Sequence, residues 1–163
     1  MSETGLMATA PLDGFAFSGD GISVEAVEDL AIVAVSVPGD GQAALGEALQ
    51  AGYDLEWPGT GRSSGERTRL IGLSPDQAFL IFRHDGHGAE AVVAGKLGET
   101  AYLFDQSDAW AVLRMEGARC RAALERICML DLDDAAFPEG APAARRWSTF
   151  RSSCCARGRR AGC

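Results

Sequence analysis

Residues 31–52, AIVAVSVPGDGQAALGEALQAG, decide the fold class. The valine-rich apolar run at 31–37 ends at Pro38-Gly39, which suits a buried strand. Asp40 is placed to cap a helix over 42–51, where Leu45, Ala48 and Leu49 recur at helical spacing, and Gly52 offers the left-handed stop.

Working downstream, residues 57–66, WPGTGRSSGE, form a loop: Pro, Gly and Ser dominate and no apolar period survives. Strands at 69–73 and 78–83 flank Ser74-Pro75-Asp76-Gln77, whose proline presets a turn that its polar neighbours can bond. Residues 84–88 lead into a helix over 89–97, closed by Gly98. Strands follow at 101–105 and 110–116, with Ala111, Leu113 and Met115 alternating against Val112, Arg114 and Glu116. A helix over 117–128 places Cys120, Ala123, Leu124, Ile127 and Cys128 on one face, which makes both cysteines core residues. This order predicts an α+β domain built from two interleaved, tandem strand-helix-strand units of ferredoxin type, ending where a last strand is due. Upstream, residues 1–21 read as an irregular arm of small and polar residues, so the single domain is expected over 22–144.

With 163 residues and 47% hydrophobic composition, the chain suits one domain with a sizeable core. No run approaches the roughly 18 apolar residues of a membrane span, and residues 1–10 lack the basic start and apolar centre of an export signal. The expectation is a cytoplasmic protein without a membrane partner. The net charge of -8 is unevenly spread. Six of the 15 Lys and Arg residues lie after Glu139, in the segment that carries no acid, leaving nine against 23 acids, or -14, in the body. Such a body repels phosphate backbones, which argues against nucleic acid. Three of the five cysteines (Cys154, Cys155 and Cys163) lie in that same segment. An odd count with an adjacent pair argues against a disulfide framework and lacks the paired spacing of a zinc site.

Little of the chain has the pattern of chemistry. His84 and His87 flank Asp85-Gly86 without a third ligand nearby, which fits a solvated glycine-rich turn better than a metal. Asp131, Asp133 and Asp134 lack the glycine and distal glutamate of a calcium loop, and Leu130 and Leu132 are expected to pack inward between them. Gly39-Asp40-Gly41 and Gly59-Thr60-Gly61 do not match a phosphate loop, and there is no Gly-x-Ser-x-Gly elbow. No catalytic, cofactor-binding or metal-ligating residue is assigned. The polar cluster with a specific pattern is residues 105–110, DQSDAW. Its simplest reading is a strand-to-strand turn in which Asp105 and Ser107 bond backbone amides.

Residues 102–142, YLFDQSDAWAVLRMEGARCRAALERICMLDLDDAAFPEGAP, carry a more specific pattern. Asp-Gln-Ser before an aromatic strand, Leu-Arg-x-x-Gly opening a helix, Cys-x-Leu-Asp-Leu and Ala-Phe-Pro together resemble the gamma subunit of heterotetrameric sarcosine oxidase. Residues 73–77 resemble that family's Gly-Pro-Asp-x-Trp hairpin. Ala78, Asp108, Ala118 and Met129 stand where the family usually has an aromatic, His, Pro and Pro. The resemblance implies the folate-binding aminomethyltransferase fold, in which Asp105 or Ser107 would border a ligand pocket. It further implies a noncatalytic subunit partnered with alpha, beta and delta chains. The holoenzyme carries FAD, FMN, NAD and tetrahydrofolate, and oxidises sarcosine to glycine with hydrogen peroxide. A stand-alone folate-binding one-carbon protein of the same fold is the alternative.

From residue 145 the resemblance stops. Where the family continues from Ala-Arg-Thr into Met-Glu-His-Leu and an apolar strand, this chain reads RRWSTFRSSCC. Read from the third base of the Arg145 codon, permitted codons spell Thr, Val or Met, Glu, His and Leu, and TCN serine codons turn 152–155 into four apolar residues. A single-base frameshift near Ala144 is therefore expected, leaving 145–163 as an aberrant tail and the last strand lost. Resequencing that finds no displaced strand codons overturns this. The loss would leave an open sheet edge and an aggregation-prone product.

Overall fold

The structure, a computed structural model, describes residues 9–84, 87–127, 131–133 and 135–136, and the backbone of 142–147 and 150–155. Regular structure begins inside the segment expected to be an irregular arm. Ala16–Gly19 (β1) and Ile22–Val27 (β2) pair antiparallel across Asp20-Gly21. Both turn residues have positive φ, 51° and 74°. That is the mark of the mirror-image two-residue turn, whose twist matches right-twisted strands. The arm expected over 1–21 therefore gives way to a strand at residue 16: the Asp-Gly turn and the alternation of Phe15, Phe17, Ile22, Val24 and Ala26 outweigh the small polar residues around them.

The next elements are Leu30–Ser36 (β3), Gln42–Tyr53 (α1), Ser63–Ser64 (β4), Arg69–Ser74 (β5), Gln77–Arg83 (β6), Ala89–Leu97 (α2), Tyr102–Asp105 (β7), Val112–Glu116 (β8) and Cys120–Leu124 (α3). Strands β4-β5-β6-β3-β7 form one antiparallel sheet in that order, with β3 between β6 and β7. The valine-rich run is central and buried, as its composition demands. Ala31, Val33 and Val35 face Leu45 and Leu49 of α1 and Val93 and Leu97 of α2, so both helices cover the same face. Leu70, Ala78, Leu80 and Phe82 complete that core.

Two expected details of α1 change. Asp40 does not cap it: Gly41 holds the N-cap position and no side chain bonds the first turn. At the other end Gly52 stays helical, and Asp54 adopts the left-handed conformation, φ 55° and ψ 44°. Aspartate tolerates that conformation, and its carboxylate accepts a bond from Gln50 Nε2. The glycine at 52 serves a close approach instead, since a Cβ there would lie 3.2 Å from Lys96 Cβ, and Lys96 Nζ donates to the Gly52 carbonyl at 3.1 Å while lying 4.2 Å over the Tyr53 ring.

The glycine-rich segment after Trp57 lies on β5. Gly61 N–H donates to Gly72 O and Gly72 N–H to Arg62 O, and a Cβ at Gly72 would collide with the Gly59 carbonyl. The turn between β5 and β6 forms as expected, with Ser74 Oγ donating to Asp76 Oδ1 at 2.7 Å.

A second sheet has the order β1-β2-β8. The expected core role of α3 is not met. No residue of α3 is buried, Cys120 is half-exposed and Ile127 is 45% exposed, while Cys128 lies outside the described residues. The reason is where α3 lands: the core lies between the five-stranded sheet and the other two helices, and α3 adds no residue to it. Pro142–Trp147 (β9) and Phe150–Cys155 (β10) pair with each other, and among the described residues neither joins another sheet.

Candidate functional site

Asp105 ends β7 and Ser107 opens the short 3-10 turn that follows it. The Ser107 amide and hydroxyl both donate to Asp105 Oδ1, at 2.9 Å and 2.6 Å. The same hydroxyl accepts the Ile32 N–H at 3.1 Å, and Gln106 N–H donates to Ile32 O at 2.8 Å. These bonds stitch the end of β7 to the start of β3.

Burial raises the Asp105 pKa, but bonds from the Ser107 hydroxyl, the Ser107 amide and the Ala89 amide, with the charge of His84, outweigh it and hold the carboxyl below its ordinary value. The Ala89 amide belongs to the first turn of α2, whose N-cap, Gly88, supplies no side-chain acceptor. Asp105 thus lies near the amide end of α2, which favours its charged form. An anion held this way accepts hydrogen bonds rather than exchanging protons. The Ser107 proton is directed to Asp105, a carboxylate that these bonds make less basic.

The other candidates are placed as follows. His84 Nε2 lies 3.4 Å from the His87 carbonyl and its ring tilts against Phe82, while Asp85 and Gly86 lie outside the described residues. The Asp133 amide donates to Asp131 Oδ1 and the Ala135 amide to Asp133 Oδ1, both at 3.0 Å, which is turn chemistry. Leu132 is buried between them as expected, and Leu130 and Asp134 lie outside the described residues. No group of three His, Cys, Asp or Glu side chains placed to hold a metal occurs among the described residues. A shallow cavity of about 430 Å³ sits at the β1-β2 turn, bordered by Ser18, Asp20, Ser23 and Glu116. Asp105 and Ser107 do not line it.

Two apolar surfaces escaped the reading of the sequence. On the β1-β2-β8 sheet, register puts Phe17, Val24 and Met115 in one row and Ala26 with Leu113 in the next, and Phe15, Phe17 and Leu113 are about half exposed. The opposite face is mostly polar, with Val27 and Val112 paired at one end, and carries the Arg114–Glu25 ion pair at 2.6 Å. The second surface is the β7 edge, where Tyr102 and Phe104 are 62% and 61% exposed. Alternating phenylalanines and the Tyr-x-Phe pattern were the available signals.

Compared with solved structures, the chain overlays a chain of the heterotetrameric sarcosine oxidase from Corynebacterium sp. U-96, an enzyme solved in complex with pyrrole 2-carboxylate. The TM-score is 0.69 at 23% identity, over 85% of this chain and 72% of that one. The two chains share a fold. No protein-family profile matches the sequence, and no curated protein is detectably similar to it. The α+β architecture agrees with the fold class expected from the sequence. No helix among the described residues is long and apolar enough to cross a membrane.

Proposed function

We propose that this chain is the gamma subunit of a heterotetrameric sarcosine oxidase. In this role it is a noncatalytic, cytoplasmic docking component of a complex with alpha, beta and delta chains. The complex oxidatively demethylates sarcosine to glycine with hydrogen peroxide, releasing formaldehyde or methylene-tetrahydrofolate, and its FAD, FMN, NAD and folate sites lie on other subunits. The observation that carries this reading is the fold shared over 85% of the chain with that enzyme. The motifs in residues 102–142 support it independently. The same reading makes 22–144 one domain of tandem ferredoxin-like units, extended at its start by β1. It also makes 145–163 a frameshifted tail, in keeping with β9 and β10 pairing with each other alone among the described strands.

Co-expression with candidate flavin-bearing subunits tests the proposal. The expected outcome is a yellow complex that retains this chain through gel filtration and makes peroxide only with sarcosine. Tight folate binding by the lone chain, with no complex, would instead favour a stand-alone one-carbon protein in which Asp105 and Ser107 border the ligand.

A further inference from the structure

The outer edge of β7 combines three features. Its ladder to β3 is regular, pairing Asp105 with Val33 through to Tyr102 with Ser36, and no other strand pairs with β7 among the described residues. Because Gln106 N–H bonds Ile32 O, the alternation of an antiparallel ladder turns the Leu103 and Asp105 backbone groups toward the open edge. Apart from its four-residue length and the Asp105 carboxylate at its end, the edge carries no protective device: β7 has no Lys, no Pro and no bulge.

The second feature is aromatic. Leu103 packs against the core while Tyr102 and Phe104 project from the other face, both more than half exposed. The third is charge. Residues 98–113 contain no Lys, Arg or His, whereas Glu99 and Asp108 are exposed at the two ends of β7. The nearest cations along the chain are engaged elsewhere, Lys96 with Gly52 and Tyr53 and Arg114 with Glu25, and His84 acts on Asp105. Open backbone groups recognise an extended chain. Exposed aromatic rings between uncompensated carboxylates favour guanidinium or ammonium side chains on that chain.

We infer that the β7 edge receives an extended, arginine- or lysine-bearing segment of a partner polypeptide as an added strand. The inference rests on reading this chain as a subunit, and it names the surface through which that subunit docks. Hydrogen exchange on the chain alone and within the co-expressed flavoenzyme complex tests it. Amides of 98–106 should become protected in the complex. Tyr102→Ser with Phe104→Ser should weaken capture at least ten-fold while the lone chain melts unchanged. Glu99→Lys with Asp108→Lys should weaken it by a similar factor at low salt and less at high salt.

A complex that assembles with 98–106 exchanging as freely as in the lone chain overturns the docking surface and leaves the subunit reading standing. A folded chain that forms no complex overturns both. Concentration-dependent protection of 98–106 in the chain alone makes the occupant a second copy and overturns the inferred partner.

Discussion

The two sheets of this chain are built to different standards. The five-stranded sheet sets alternate residues of β3, β5 and β6 against two helices, and Val33, Val35, Leu45, Leu49, Leu70, Leu80 and Val93 are fully buried there. The three-stranded sheet has an equally clear apolar face but buries none of its own residues. Apolar patterning therefore marks where a face wants cover. It does not say whether the described chain supplies that cover. The first half has what a domain needs to hold itself together, whereas the second presents surface that association can still bury.

Truncating the core should expose the contrast most sharply. Leu80→Ala should cost about 2–5 kcal/mol in urea unfolding, the range for a fully buried leucine, while Phe17→Ala should cost under about 1 kcal/mol in the lone chain. Equal losses would break the comparison. Glycine substitutions come next. Gly65 has φ 81°, and a Cβ there would strike the Thr68 carbonyl and Leu55, so Gly65→Ala should cost about 2–3 kcal/mol. Gly117 has φ 127° with the Gly21 carbonyl in the way. Gly117→Ala should loosen β2 and β8 in hydrogen exchange while β3 and β6 keep their protection.

Ser107→Ala strips the Ile32 N–H of its acceptor and should cost about 1–3 kcal/mol by chemical denaturation. Asp105→Asn should be felt through pH. The folded-state pKa is depressed, so the stabilisation is present above the ordinary carboxylate value and is lost as pH falls through the folded one. The variant's deficit should accordingly shrink on acidification, and a deficit constant from neutral pH down to pH 2 would remove the anion from the account. Smallest of all, Tyr102→Ser should leave the lone chain within about 0.5 kcal/mol of its parent by thermal melting.

The five-stranded half was legible because each of its elements advertises one buried face. The run at 31–37 is apolar throughout, and Leu45 and Leu49 mark the helix stripe. Boundaries were less so. Asp40 met the composition rule for a cap, yet the chain turns through a Gly41 N–H bond to Pro38 O and Gly41 holds the N-cap of a helix that starts at Gln42 as expected. The β1-β2 hairpin was missed although Asp20-Gly21 between alternating apolar residues is a strong signal, because the small and turn-forming residues around it suggested an irregular arm. At Asp105 and Ser107 the local bonds follow from short polar side chains near a strand end. The bond from Ile32, 75 residues away, and the approach of the α2 start to Asp105 depend on tertiary placement and have no local signature.

The pairing of Ser23 with Glu116 also has a consequence in time. A two-residue hairpin closes within about 1–10 μs once its residues exist, but β8 is made close to ninety residues after β2. At about 5–20 residues per second, the nascent hairpin waits roughly 5–20 s before its third strand emerges, with both phenylalanines uncovered. Chaperone capture during that interval should fall on residues 15–27 rather than on the valine-rich strand, which acquires its helix within a few seconds of synthesis.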